Sequence, residues 1–220
     1  MLLFFDFETS YFANLPWLFG GHACTFHYKF QNGERNTIVI NHHEFAPNCD
    51  FNKNAQTEIQ AVINRATVII AHNLKFDLHW LRGLGIDFSH CGLWCTMVTE
   101  YIISGQVKKY PSLDYCAEKY QEEKKYDKVK EYWDADIDTC LIPLNILMEY
   151  GNHDVDILEN VYWKQLPIVT EQNQRKIVQL RCASLRVTEE IEWNGMLIDK
   201  ELTQNLSQEY GVTIDALYEH

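Results

Sequence analysis

Two acidic side chains stand two positions apart at the end of the first apolar run of the chain. Asp6 and Glu8 follow Met1-Leu2-Leu3-Phe4-Phe5, and a short run of this kind is typical of a buried β-strand. Residues i and i+2 of a strand project from the same face, so both carboxylates should point to one side. Hard divalent cations such as Mg²⁺ prefer oxygen ligands of this kind. The spacing predicts a metal site, although an ordinary polar turn after a strand would give the same two residues.

A second polar pair follows a later apolar run. Asn73 and Asp77 are four residues apart at the start of a predicted helix, so they should share one helix face. They come directly after residues 67–71, a β-branched run that predicts a buried parallel strand. Sites in α/β sheets lie at the carboxyl ends of such strands. Taken alone, the pair is also compatible with helix capping.

The third acidic segment lies on a late predicted helix. Tyr150 and Asp154 are again four residues apart, and Asp156 follows two residues later. Two residues correspond to roughly 200° around a helix, so Asp156 should face away from Asp154. We therefore assign Asp154 and Tyr150, and not Asp156, to the candidate site. A plain Tyr–Asp hydrogen bond is the simpler alternative for this pair.

Taken together, the three segments resemble the motifs of the DEDD 3′→5′ exonucleases, in the subtype with a tyrosine in the third motif. The similarity is greatest to the proofreading domain of family A DNA polymerases, especially those of bacteriophages. The motifs are, in order, Phe5-Asp6-Phe7-Glu8-Thr9, Ala71-His72-Asn73-Leu74-Lys75-Phe76-Asp77-Leu78 and Tyr150-Gly151-Asn152-His153-Asp154-Val155-Asp156. Ser112-Leu113-Asp114 resembles a helix start between the second and third motifs. Where the family often has Asp-Thr after a further strand, this chain has Cys95-Thr96.

The resemblance implies two-metal-ion hydrolysis of phosphodiester bonds with Mg²⁺, for which Mn²⁺ would substitute. The implied metal ligands are Asp6, Glu8, Asp77 and Asp154. Asp6 would bridge both ions, and Tyr150 would orient the attacking water. Substrate contacts are expected from Thr9, Phe12 and Asn73. For Phe12 we expect a wedge against the 3′-terminal base, because bases stack on aromatic rings; burial of Tyr11 and Phe12 in the core is the alternative.

The pattern of elements predicts an α/β protein with an RNase H-like mixed sheet, in which an antiparallel hairpin joins parallel strands and helices flank the sheet. The hairpin strands are expected at residues 24–30 and 37–41, around the turn Asn32-Gly33. Helices are expected from Asn54 to about residue 65, from Leu74 to Gly83 or Gly85, and over 96–103, 112–120 and 143–163. Residues 121–140 are charged and weakly patterned, which indicates a surface excursion.

The remaining residues predict a helical extension. A long amphipathic helix is expected from about Pro167 to Trp193, followed by a break at Asn194-Gly195 and a helix capped by Asp199. We therefore predict an exonuclease domain over residues 1–166 and, over 167–220, an extension that resembles the start of a polymerase thumb region. The chain stops at His220, so we expect the polymerase part either in cis in a longer protein or in trans as a separate subunit.

Composition constrains the setting of the protein. The formal charge is 19 − 31 = −12, which is unusual for a protein that binds a phosphate backbone, unless bound metal neutralises its acids. Seven cysteines without a C-x-x-C pair favour free thiols and a reduced, cytoplasmic location, the host cytoplasm if the protein is viral. His90, Cys91 and Cys95 have no second pair at zinc-finger spacing. The apolar start is too short to span a membrane, so we expect a soluble protein.

The sequence therefore predicts a metal-dependent 3′→5′ exodeoxyribonuclease that removes nucleotides from single-stranded or frayed DNA 3′ ends and releases 5′-mononucleotides. The alternative enzyme is an RNase D-like exoribonuclease, which would have to accept the 2′-hydroxyl group. A non-catalytic binding module is the alternative from another class. All four carboxylates and the tyrosine are present, which argues against it.

Overall fold

A five-stranded mixed sheet forms the centre of the molecule in the computed structural model, which describes residues 1–107, 109, 111–121 and 128–218. The strands are β1 (Leu2–Thr9), β2 (Ala23–Phe30), β3 (Arg35–Val39), β4 (Val68–Ala71) and β5 (Gly92–Cys95). Their order across the sheet is β3-β2-β1-β4-β5. The first three strands pair antiparallel, and β4 and β5 continue the sheet in parallel with β1. The predicted combination of an antiparallel hairpin and parallel strands is confirmed.

The composition of β1 explains its central position. Leu3, Phe4, Phe5 and Phe7 are all buried, so the strand is apolar toward both faces of the sheet. A strand with layers on both sides needs this near-continuous apolar run. The acidic residues come only toward its carboxyl end, where the sheet opens onto the candidate site.

Eight helices are described around and beyond the sheet. They are α1 (Ala55–Asn64), α2 (Leu74–Gly83), α3 (Thr96–Ile103), α4 (Leu113–Tyr120), α5 (Lys128–Asp134), α6 (Leu144–Glu171), α7 (Arg175–Asn194) and α8 (Lys200–Tyr218). Two 3₁₀ turns occupy Pro47–Cys49 and Thr139–Leu141. The long helix α6 packs against β1, β2 and α3. The Tyr162 ring on α6 meets those of Phe4 and Trp94 edge-on, with centroids 5.5 and 5.4 Å away.

Several local predictions are confirmed. The bounds of α2 and α3 match the expected ones, and Asn32 adopts the left-handed conformation that a tight hairpin turn requires (φ 57°). Ser112 caps α4, since its side chain accepts a hydrogen bond from the Tyr115 amide. Asp199 caps α8 through the Leu202 amide. No helix in the described part of the chain has the length and apolar character needed to cross a membrane.

The expected helix start at Pro167 is wrong. Helix α6 continues through Pro167 to Glu171, and α7 begins only at Arg175. An internal proline costs about 3 kcal/mol of helix stability. Buried side chains on both sides of it, including Gln165 and Val169, hold the helix in place by packing.

The expected surface excursion over residues 121–140 is only partly right where the structure describes it, because exposed residues there alternate with buried ones. Helix α5 lies in this segment, and its Val129 is fully buried in a second apolar cluster that also contains Cys24 and Cys140. Residues 122–127 lie outside the described part of the chain. The segment has few apolar residues, so its sequence shows no clear hydrophobic pattern. Those few residues complete a small apolar cluster that is built largely by other elements.

Three smaller differences concern helix starts and the last strand. Asn54 precedes α1 without a capping hydrogen bond from its side chain. Pro143 lies at the N-cap position of α6 rather than inside its first turn. The strand Gly92–Cys95 was implied only by the family resemblance, because it lacks the β-branched run that predicted β4.

The chain divides into two compact units, Met1–Glu189 and Glu190–His220. The first contains the sheet, α1 to α6 and most of α7, whose Val178 and Cys182 belong to the main core. The second contains α8, on which no residue is buried. The predicted domain boundary after residue 166 stays a prediction, and the first compact unit extends past it.

Candidate active site

Three carboxylates meet at the carboxyl end of β1. Asp6 and Glu8 project from the same face of the strand, and one oxygen from each lies within 4.8 Å of an oxygen of Asp154 on α6. Glu8 and Asp154 are buried, with 6% and 3% of their surface exposed, and Asp6 is half-buried. Carboxylates held this closely disfavour one another's charged form unless a cation lies between them.

The fourth carboxylate, Asp77, is in the first turn of α2. It is 1% exposed, and its Oδ1 accepts a hydrogen bond from the Phe7 amide at 3.3 Å, between the two acids of β1. Its Oδ2 is buried and has no hydrogen-bond partner in the described part of the chain. Burial raises the pKa of Asp77 well above its usual value, and the charges of Asp6 and Glu8 raise it further.

These features fit a divalent metal centre. All four donors are carboxylate oxygens, which hard cations of the Mg²⁺ class prefer. The buried, unpaired oxygen of Asp77 would be costly without a positive partner. A bound cation would supply that partner and would also relieve the repulsion among Asp6, Glu8 and Asp154.

A cavity of about 340 Å³ opens beside the cluster. Its walls are formed by the three clustered carboxylates and by His72, Asn73, Met97, Pro111, Ser112, Leu113 and Tyr150. Asn73 takes the N-cap position of α2 in the left-handed conformation (φ 58°) and makes no capping hydrogen bond with its side chain. It therefore belongs to the cavity wall rather than to the capping role that its position suggested.

His72 was not predicted as a site residue, although it stands inside the second motif. Its Nε2 lies 2.9 Å from the Pro111 carbonyl oxygen, and its Nδ1 lies 2.9 Å from the Thr96 hydroxyl. A carbonyl only accepts hydrogen bonds, so Nε2 carries the proton and Nδ1 accepts from Thr96. His72 thus fixes the loop before α4 against the start of α3, and so shapes one wall of the cavity.

Tyr150 reaches the cavity one helical turn before Asp154. Its ring meets the Trp133 ring of α5 edge-on, with centroids 5.9 Å apart. Trp133 donates a hydrogen bond from Nε1 to the Thr139 hydroxyl and stacks on Tyr11 with an interplanar angle of 9°. Sequence reasoning missed Trp133 because it lies in the segment that was expected to be a surface excursion.

The two other substrate candidates lie outside the cavity wall. Thr9 is half-buried at the end of β1, next to an irregularity in the pairing with β2. Phe12 is 63% exposed and meets the ring of Tyr11 edge-on. Tyr11 is also exposed, so the alternative that both rings are core is wrong.

Asp156 faces away from the site, as its position on the helix predicted. Its two oxygens pair with Lys29 Nζ at 3.1 Å and Arg35 Nε at 2.8 Å on the β2–β3 hairpin. These ion pairs attach the outer side of α6 to the hairpin. The inner side of the same helix presents Asp154 to the carboxylate cluster.

A buried histidine forms the contact between β2 and α6. His27 pairs with Asp6 across the sheet and is fully buried, with its ring nitrogens 2.7 and 3.0 Å from the hydroxyls of Thr25 and Thr37. Burial lowers the pKa of His27 to about 3. Gly151 of α6 lies against this ring, and a Cβ at that position would come within 2.3 Å of His27 Cδ2. Glycine therefore allows α6 to approach the sheet closely enough to deliver Asp154.

The mixed sheet is that of an RNase H-like fold, with the acidic cluster at the β1–α6 junction as its candidate metal site. The family model described as 3′-5′ exonuclease, from the family A DNA polymerases, matches residues 19–169. The chain belongs to this family of 3′-5′ exonuclease domains, whose members use divalent metal ions. The match begins after β1, so the placement of Asp6 and Glu8 rests on the geometry described above.

Two phage DNA polymerases found by sequence similarity agree with this family. The DNA polymerase DpoZ of Acinetobacter phage SH-Ab 15497 is 25% identical over 156 residues, which is 66% of this chain and 25% of that protein. The DNA polymerase of Bacillus phage SP01 is 28% identical over 164 residues, which is 67% of this chain and 17% of that protein. The chain thus spans a quarter or less of the relatives it matches.

Brucella melitensis NrnC has the same fold. Its structure with bound Mg²⁺ gives a TM-score of 0.61 at 16% identity, covering 88% of this chain and 86% of NrnC. Its structure bound to pGG gives a TM-score of 0.63 at 16% identity, with 88% and 85% covered.

Proposed function

We propose that this chain is the proofreading exonuclease of a phage-type family A DNA polymerase, of the tyrosine DEDD subtype. It removes nucleotides from unpaired DNA 3′ ends and releases 5′-mononucleotides. The observation that carries the proposal is the cluster of Asp6, Glu8 and Asp154, with Tyr150 in the same cavity wall and Asp77 beneath it.

The chain's own side chains have distinct roles in this proposal. Asp6, Glu8, Asp77 and Asp154 would hold two Mg²⁺ ions, with Mn²⁺ able to substitute. When bound, such ions supply an activated water and stabilise the leaving oxygen. Tyr150 orients the water by a hydrogen bond from its phenol, and the Trp133 ring holds Tyr150 in place. Asn73 contacts the substrate from the cavity wall, and Thr9 and Phe12 contact it from outside.

A single-stranded 3′ end is the proposed substrate, because a nucleotide must leave a duplex before its phosphate enters a cavity of this size. Unstacking and unpairing cost a few kcal/mol for a matched nucleotide and less for a mismatched one. The phage DNA polymerases among the relatives support DNA as the substrate and a polymerase part in cis or in trans. Because these relatives are phage proteins, we also propose a location in the host cytoplasm.

An RNase D-like exoribonuclease is the second candidate. The fold shared with NrnC, which was solved bound to pGG, favours it. The two functions differ in whether the site accepts a 2′-hydroxyl group at the 3′ end.

The test is digestion of 5′-labelled strands by the purified chain with Mg²⁺. We expect single-stranded DNA to be degraded fastest, mismatched duplex ends next and matched ends most slowly, with EDTA stopping the reaction. Asp154→Asn should reduce the rate by about 10³-fold or more, which corresponds to roughly 4 kcal/mol. Asp156→Asn is the matched control and should retain most of the activity, because this residue only makes ion pairs on the outer side of α6.

Three results would contradict the proposal: cleavage from the 5′ end, equal rates on matched duplex and single strand, or equal losses in the two aspartate variants. A clear preference for RNA would select the exoribonuclease instead.

A further inference from the structure

A second group of metal-ligating side chains lies apart from the carboxylate cluster. One ligand atom of each of His22, Asp138 and Cys140 lies within 4.8 Å of the others. His22 Nε2 is 3.6 Å from Asp138 Oδ1, and Cys49 Sγ is 2.6 Å from Cys140 Sγ. The four residues come from three separate segments: the residue before β2, the 3₁₀ turn Pro47–Cys49 and the 3₁₀ turn Thr139–Leu141 with the residue before it.

The orientation of His22 is that of a metal ligand. Its Nδ1 lies 2.9 Å from the Gly20 carbonyl oxygen. Because a carbonyl only accepts, Nδ1 carries the proton, and the neutral ring therefore presents the lone pair of Nε2. A backbone carbonyl on one ring nitrogen is the common way to fix the other nitrogen toward a metal.

The environment of His22 Nε2 favours a bound cation. This atom is shielded from solvent and makes no hydrogen bond in the described part of the chain. It faces the carboxylate of Asp138, and two electron-rich atoms facing each other repel. Either a proton on Nε2 or a metal ion between the two groups removes the repulsion.

The nearby thiols favour the metal ion over the proton. Cys140 is buried, and all seven cysteines are free. Two sulfurs, one imidazole nitrogen and one carboxylate oxygen form a four-ligand set of the kind that Zn²⁺ takes up tetrahedrally. Bond lengths of about 2.0–2.3 Å require ligand atoms roughly 3.3–3.8 Å apart. The His22–Asp138 distance is already in this range, and the two sulfurs would have to separate by about 1 Å.

We propose that His22, Cys49, Asp138 and Cys140 form a structural site for a cation of the Zn²⁺ class. The donor set separates it chemically from the catalytic cluster, where every donor is an oxygen. The site would tie these three segments of the chain together. Thr139, inside the same turn, holds Trp133 against Tyr150, so the bound ion would stabilise the position of Tyr150 without touching the substrate.

Cobalt titration of the reduced, metal-free chain tests the proposal, because only thiolate ligands give a sulfur-to-cobalt charge-transfer band. We expect about one equivalent of Co²⁺ to produce this band together with the visible bands of tetrahedral Co²⁺, and Zn²⁺ to abolish both. The carboxylate cluster also binds Co²⁺ but contributes no charge-transfer band. Zn²⁺ should also raise the melting temperature.

Three variants locate the site. His22→Gln and Cys140→Ser should weaken the charge-transfer binding at least ~100-fold and remove the Zn²⁺-dependent rise in melting temperature. His22 lies in a partly exposed loop, so its variant is expected to fold even if the cysteine variant does not. Cys116→Ser replaces an equally buried thiol on α4 and should bind Co²⁺ as the parent chain does.

Three results would overturn the proposal. The first is the absence of a charge-transfer band in the reduced chain, and the second is an unchanged band in both site variants. The third is a count of five rather than seven reactive thiols in the chain as purified and denatured without reductant, which would indicate a disulfide between Cys49 and Cys140.

Discussion

Two regions of the molecule depart from the usual distribution of buried and exposed side chains: one buries charged and polar groups, and the other exposes aromatic ones. The first, which we call the floor, consists of Glu8, His27, Asp77 and Asp154, all buried. The second is the aromatic loop, residues 11–21, in which Tyr11, Phe12, Trp17, Leu18 and Phe19 are exposed. Buried ionisable groups and exposed aromatic groups each cost stability or solubility.

The two regions fit different parts of the proposed function. The floor is held by packing and hydrogen bonds, and burial lowers the pKa of His27 and raises that of Asp77. The loop leaves apolar rings at the surface, where a nucleic acid base can stack on them. The floor is thus suited to chemistry, and the loop is suited to binding.

The largest expected effect on stability tests the floor through its dependence on pH. Above pH 6.5, His27 is neutral in both the folded and the unfolded chain. Between about pH 6.5 and 3, His27 binds a proton in the unfolded chain but stays neutral in the folded chain, because burial lowers its pKa to about 3. The free energy of unfolding should therefore fall as the pH decreases, with a slope that approaches about 1.4 kcal/mol per pH unit, and by about 2 kcal/mol between pH 7.5 and 5.

Urea unfolding of the parent chain and of His27→Asn, both measured in EDTA, isolates the contribution of His27 to the pH dependence. The raised pKa of Asp77 acts in the opposite direction, because that group binds its proton more readily in the fold, and it is present in both proteins. The variant should lose less stability than the parent between pH 7.5 and 5. Equal losses in both proteins would show that His27 is not the group responsible.

The next effect tests how closely α6 must approach the floor. Gly151→Ala would place a Cβ 2.3 Å from the ring of His27, which two threonines hold in position. Overpacking costs about 1–3 kcal/mol, whereas replacing a helical glycine gains about 1 kcal/mol. We expect the free energy of unfolding in urea to fall by about 1 kcal/mol. The nuclease rate should also fall, because the displaced α6 would carry Tyr150 and Asp154 away from β1.

Gly211→Ala is the matched control, since a Cβ there meets no atom within 4 Å, and it should not reduce stability. His27→Ala offers a second control by removing the opposing ring. If Gly151→Ala were still destabilising in that background, the contact with His27 would not be the cause.

Local periodicity predicted which acidic side chains share a face, and the family resemblance was needed to assign them to one site. Alternation along a strand places Asp6 and Glu8 together, and the pitch of a helix separates Asp154 from Asp156. Both relations depend on neighbours within a few residues, and the structure agrees with both. The catalytic roles of these residues stay predictions.

The features that the sequence did not reveal depend on contacts between distant segments. Trp133 reaches Tyr150 from a segment whose apolar residues are too few to show a pattern. Pro167 lies inside a helix because packing outweighs its local cost. His22 and Cys140 are 118 residues apart along the chain, and no spacing rule connects them.

The smallest expected effect tests the aromatic loop. Phe12 is 63% exposed and contacts the ring of Tyr11, which in turn stacks on Trp133 beside Tyr150. If the terminal base stacks on Phe12, Phe12→Ala should weaken binding of a short single-stranded oligonucleotide by about 1 kcal/mol, or roughly fivefold. The melting temperature should stay nearly constant, because an exposed ring contributes little to the core.

Affinity is best measured by fluorescence anisotropy in an Asp154→Asn background, in which the oligonucleotide persists. Phe19→Ala in the same loop is the control, since Phe19 is fully exposed and is expected to leave the affinity unchanged. A drop in melting temperature with unchanged affinity would make Phe12 part of the fold, and equal losses for both variants would indicate unspecific stacking along the whole loop.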